Sequence, residues 1–88
     1  MVKKENIYKV FSNKKRVELI MCLTQEKCVT DLLSLCTLSQ SALSQHLKIL
    51  KDADMVSCKR EWKQQKYHVK NKQVKKIAEL LLALENNI

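Results

Sequence analysis

LSQSALSQHLKIL, residues 38–50, runs directly into KDADMVSCKREWKQQKYHV, residues 51–69, and the two segments read as a helix followed by a basic β-hairpin. Ser39 is placed to cap the helix, and Leu43, Leu47 and Leu50 recur at helical spacing, so they share one face that has to be buried. The opposite stripe is Gln40, Ser41, Ser44, Gln45 and Lys48. A merely solvated helix usually carries Glu and Lys pairs. This stripe instead offers short donors and acceptors with one cation, the inventory suited to base edges and phosphates in a DNA major groove. No acid occurs between Asp31 and Asp52, which favours nucleic-acid contact over neutral surface.

Working outward, Asp52 to Asp54 ends the helix, Met55 to Cys58 and Lys66 to Val69 read as strands, and Trp62 to Gln65 reads as the hairpin tip. Upstream, Ile7, Val10 and Phe11 predict a first helix, and after the polar break at Ser12 to Lys15 the run Val17, Ile20, Met21, Leu23 predicts a second. Thr30 is expected to cap a short third helix carrying Leu32, Leu33 and Leu35, with a turn at Thr37 to Ser39 before the reading helix. Val74, Ile77, Ala78, Leu81 and Leu84 then form an apolar stripe on a last helix. This order predicts a mainly α chain with a two-stranded β-wing, a winged helix-turn-helix, folded as one domain over residues 1–88.

The chain of 88 residues carries a net charge of +8, and eight cations against one acid between residues 59 and 76 hold +7 of it. The charge alone suits DNA, RNA or an anionic membrane equally, and its concentration after the reading helix, together with that helix, gives double-stranded DNA as the expected partner. Lys59, Arg60, Lys63 and Lys66 are read as wing contacts to phosphates, whereas Lys75 and Lys76 read as a solvated helix face. A monomer this small buries a limited share of its surface, so a homodimer is expected, built from the first and last helices. The chain contains no glycine and no proline, which removes the glycine-rich phosphate loops of nucleotide-binding enzymes and leaves turns to other residues. No apolar run approaches the length of about 20 residues that spans a bilayer, and MVKKENIYKVF lacks a signal-peptide core, so no membrane partner and a cytoplasmic location are expected.

Three segments resemble the arsenic-repressor (ArsR) family of bacterial winged-helix regulators. IYKVFSNKKRVELIMCL, residues 7–23, is similar to the family's opening signature around Arg16. Residues 38–50 resemble its most specific motif, with Ser39, Ser44, His46, Leu47 and Leu50 in place. Residues 56–69 resemble its wing, with Lys59, Arg60 and Glu61 before the tip and Tyr67 on the return strand. The resemblance implies a dimeric repressor that releases operator DNA on sensing an inducer. Three departures stand out: Trp62 where the wing usually has glycine, Asp54 where glycine is expected after the reading helix, and Lys14 in place of a common proline.

The sensory residues fit less well. In the metal-sensing branch the resemblance implies a run of the form Cys-Val-Cys-Asp-Leu-Cys, but this chain has Cys28, Val29, Thr30, Asp31, Leu32, Leu33, which retains one thiol of three. Residues 72–88 hold no histidine or aspartate for a site on the last helix. No metal site and no cofactor are therefore expected, and the four cysteines read as free thiols. Cys22 resembles the thiol of a redox-sensing branch whose usual partner lies on the last helix, where this chain has none. A thiol switch would recruit Cys28, Cys36 or Cys58, and Cys22 with Cys28 is the expected pair. His46 is read as a helix residue near the DNA backbone, and no catalytic constellation is present, so an enzyme is not expected. The expected function is a DNA-binding transcriptional repressor. Its alternatives are a winged-helix protein-interaction module and a metal-responsive repressor with a non-standard site.

Overall fold

The computed structural model describes residues 2–88. After a 3₁₀ turn at Lys4–Asn6 come α1 (Ile7–Phe11), α2 (Lys14–Cys22), β1 (Lys27–Cys28), α3 (Val29–Leu35), α4 (Gln40–Asp52), β2 (Val56–Glu61), β3 (Gln64–Val69) and α5 (Lys72–Asn86). The sheet order is β1-β3-β2, antiparallel throughout. Helix, turn, helix and hairpin follow one another as a winged helix requires.

Four of the helix starts, those of α2 to α5, have side-chain causes. Asn13 accepts from Lys15 and Arg16 at the head of α2, and Asn71 accepts from Gln73 and Val74 at the head of α5. Ser39 Oγ accepts the Ala42 N–H at 3.1 Å, capping α4 as its sequence predicts. For α3 the expected cap, Thr30, is replaced by Cys28: the Asp31 carboxylate reaches back to accept the Cys28 N–H at 3.3 Å and its thiol at 3.1 Å. The helix thus starts two residues earlier, because Asp31 stands at the third helical position, from which a carboxylate returns to the cap.

Two residues without a glycine's freedom adopt left-handed backbone, Asp54 at φ 58° and Trp62 at φ 62°. At the end of α4 the Asp54 N–H donates to the Lys51 carbonyl and the Met55 N–H to the Leu50 carbonyl, a Schellman ending with Asp54 in the position glycine usually takes. Lys70 bonds the Asp54 carboxylate and holds its pKa down at about 2. The hairpin is longer than its sequence suggests. Strand pairing continues from Val56 opposite Val69 out to Glu61 opposite Gln64, so the tip is only Trp62 and Lys63, not Trp62 to Gln65. Positive φ at the first tip residue alone is the pattern of a type II′ turn, whose twist suits the strands.

The two-stranded wing also gains a third strand, with Cys28 pairing Lys66 and Lys27 pairing Tyr67. The core gathers Leu19, Ile20 and Leu23 of α2, Leu32 of α3, Leu43, Leu47 and Leu50 of α4, and Met55 and Val56 of the wing's root. On α5 the predicted apolar stripe is only partly covered. Val74 and Ala78 are buried, but Ile77, Leu80, Leu81 and Leu84 are exposed, because α2 covers one side of α5 and none of the other described residues covers these four.

Candidate nucleic-acid interface

The reading stripe stands as its periodicity demands. Leu43, Leu47 and Leu50 anchor α4 in the core, and Gln40, Ser41, Ser44, Gln45 and Lys48 are exposed on the opposite side. A groove joins that stripe to the return strand of the wing, lined by Gln40, Ser44 and Lys48 of α4 and by Gln65 and Tyr67 of β3. The Tyr67 hydroxyl donates to Gln65 Oε1 at 3.0 Å, which ties the two groove residues of β3 together. Lys51 lines it too. Gln65 and Lys51 were missed by the sequence reading, although Ser44, Lys48 and Lys51 follow one helical line that would have found the lysine.

His46 is placed differently from its neighbours. It is half-buried, with Nδ1 at 3.2 Å from Arg16 Nη1. Arg16 can only donate, so Nδ1 accepts and the ring proton sits on Nε2. Burial, helped by the adjacent guanidinium, lowers the His46 pKa below its ordinary 6.5. Arg16 itself is buried, and its other nitrogens donate to the carbonyls of Val10 at 3.2 Å and Lys9 at 2.7 Å. One side chain therefore finishes α1 and braces α4, and burial lowers the Arg16 pKa.

The four wing cations separate into two pairs. Lys59 and Lys66 face each other across the ladder, where like charges repel. Glu26 and Glu61 relieve them: Lys59 lies 3.2 Å from Glu26 and 3.7 Å from Glu61, and Lys66 lies 4.0 Å and 3.6 Å from the same two. The Lys59 pKa is raised, chiefly by its hydrogen bond to Glu26. Glu26, distant in sequence, went uncounted in the reading of the wing. Arg60 and Lys63 have no acidic partner within 4 Å among the described residues, which leaves them as the uncompensated cations of the hairpin. Lys48 is shared with Asp52 at 3.1 Å, an exposed pair of small energetic weight.

All four cysteines are free thiols. Cys28, committed to Asp31, does not line the cavity that holds Cys22; Cys36 does, together with Lys15 and Glu18. Burial first, then the nearby Cys22 thiol, pushes the Cys36 pKa up. The structure thus brings Cys36, rather than Cys28, up to Cys22. Among the described residues no three His, Cys, Asp or Glu side chains gather as a metal site would need, and no helix is long and apolar enough to cross a membrane.

Residues 13–57 match the family model described as "Bacterial regulatory protein, arsR family". The chain is 39% identical over 57 residues to the arsenical resistance operon repressor of Bacillus subtilis strain 168, a match covering 62% of this chain and 54% of that one, so it spans about half the length of that curated relative. It is also similar to two solved structures. The transcriptional regulator HlyU from Vibrio vulnificus CMCP6 superposes with a TM-score of 0.78 at 34% identity, over 91% of this chain and 84% of HlyU. The antimony-specific transcriptional repressor AntR gives a TM-score of 0.77 at 27% identity, over 91% and 74%.

Proposed function

The chain belongs to the arsR family of bacterial regulatory proteins, and on that premise we propose that it is a cytoplasmic homodimeric repressor that binds an operator in double-stranded DNA. One observation carries the reading: a single groove runs from the polar stripe of α4 to the return strand of a wing with two uncompensated cations. In a major groove, Gln40, Ser41, Ser44 and Gln45 address base edges while Lys48, Lys51, Arg60 and Lys63 take phosphates. Lys59 and Lys66 contribute once DNA phosphates compete with Glu26 and Glu61. His46 acts from behind, setting the pose of α4 through Arg16.

The open apolar side of α5, beside Ile7 and Phe11 of α1 in a shared groove, supports a dimer formed through the first and last helices. Two reading helices so related would meet successive major grooves about 34 Å apart. Random-sequence selection with the purified chain, followed by footprinting, tests this reading. An enriched symmetric site is expected. Binding without any such site would sink the reading and leave a protein-docking module in its place.

The shared cavity of Cys22 and Cys36 supports a second reading for the signal: an oxidant of the peroxide class joins the two thiols, each losing its hydrogen as peroxide is reduced to water. The bond would tie the end of α2 to the turn that precedes the cap of α4. If Cys22→Ser and Cys36→Ser leave the oxidant response of operator binding unchanged, this reading goes.

A further inference from the structure

The chain's single tryptophan stands at the tip of the wing, 93% exposed, in a left-handed conformation that a glycine would take without strain. Trp62 contributes nothing to the core, and its backbone would suit a glycine better. Its surroundings point in one direction. Lys63 follows it directly and Arg60 stands two residues before it, both without acidic partners among the described residues, while Glu61 between Arg60 and Trp62 is held by Lys59 and Lys66. The groove through Gln65 connects the wing to the reading helix, so a helix seated in the major groove carries the tip toward the adjacent minor groove.

Building on the operator-binding reading, we propose that Trp62 enters the minor groove beside each half-site and reads A·T against G·C pairs there. The chemistry is one-sided. The indole N–H is a donor and nothing else. An A·T pair offers only acceptors in the minor groove, A N3 and T O2, whereas a G·C pair adds the guanine N2 amine, which is both a competing donor and an obstruction. The ring faces supply the apolar surface that minor-groove wedges use against sugars and base steps, and Arg60 and Lys63 hold the neighbouring phosphates.

The test uses the purified chain and the symmetric site recovered by selection, with only the base pairs beneath the wing changed to A·T, G·C or inosine·C. Inosine lacks the N2 amine, so inosine·C keeps the hydrogen-bonding groups of G·C in the major groove and shows those of A·T in the minor groove. Wild type is expected to bind A·T and inosine·C flanks about fivefold more tightly than G·C flanks. Trp62→Phe, which keeps a ring but loses the N–H, and Trp62→Gly, which suits the backbone, are expected to bring the three flanks within about twofold of one another while still binding the central site. Trp62 fluorescence, the only tryptophan signal, changes on binding A·T flanks. A wild type indifferent to flanks, a Trp62→Phe variant that keeps the preference, an inosine·C flank that behaves as G·C, or unchanged fluorescence would each overturn the proposal with operator binding intact. Failure to recover any symmetric site would instead bring down the operator-binding reading, and this proposal with it.

Discussion

Replacing Arg16 with methionine isolates the side chain on which two helices lean. Methionine preserves most of the aliphatic packing but removes the donors to Val10, Lys9 and His46. The losses are unequal. The Lys9 carbonyl still accepts from Ser12 Oγ at 2.8 Å, while the Val10 carbonyl, on a buried residue, loses its guanidinium donor. Hydrogen bonds from a charged donor contribute about 1.5 kcal/mol or more each, and an orphaned buried acceptor costs about 1–3 kcal/mol. Against these stands the desolvation of a buried guanidinium, which the variant recovers in part. The net is a loss of about 3 kcal/mol, more than half of the roughly 5 kcal/mol that a small domain commands. With a slope of about 1 kcal/mol per M, the urea midpoint should fall by roughly 3 M, compared at equal protein concentration because association contributes to apparent stability. Arg16→Lys should fall nearly as far, since an ammonium cannot reach three divergent acceptors. A midpoint within about 0.5 M of wild type for either variant would refute the bracing role assigned to Arg16.

Four further outcomes follow from the same geometry. His46 has a folded pKa below its unfolded value, so the unfolded chain binds more protons as the pH drops below about 6.5; the stability His46 contributes is complete above that pH and is lost below it, and His46→Gln should flatten a melting-temperature profile across that range. Arg60→Ala should weaken binding to all DNA sequences and lower the salt slope by about one, whereas Gln40→Ala or Ser44→Ala should weaken binding at particular bases, as titrations at several salt concentrations would show. Leu84→Glu, on the open side of α5, should give monomers in sedimentation and reduce operator affinity by about two decades as the second half-site is lost. Peptide mapping after peroxide should find Cys22 joined to Cys36; a bridge to Cys28 or Cys58 instead would refute the pairing.

Much of this architecture could be read from residue order because it rests on local spacing. The α4 stripe, its Ser39 cap and the leucines beneath it are one helical pattern, and the structure keeps them in place. Asp54 and Trp62 were visible as departures at positions where glycine is usual, and both carry positive φ. What escaped depends on partners far along the chain. A two-residue strand at Lys27–Cys28 has no pattern of its own and exists only through β3. Glu26 enters the wing's charge balance by the same route, and His46 turns inward because Arg16, 30 positions earlier, waits there. A switch role for Cys28 rests on its thiol alone, while its environment makes it a helix cap. The half-covered stripe of α5 marks the edge of what one chain's sequence can say about its own burial.

The acids set among the wing cations bear on how such a protein would find its target. On the operator-binding proposal, an encounter with random DNA would begin with phosphates pulling Lys59 and Lys66 away from Glu26 and Glu61, so part of the attraction would be spent on internal partners and the carboxylates would repel the duplex at close range. The hold on arbitrary sequence weakens and dwell times there shorten. Against about a million or more competing sites in a genome, a protein that lets go quickly leaves more copies in motion, so its occupancy of a single operator depends on the ratio of holds rather than on the strength of either.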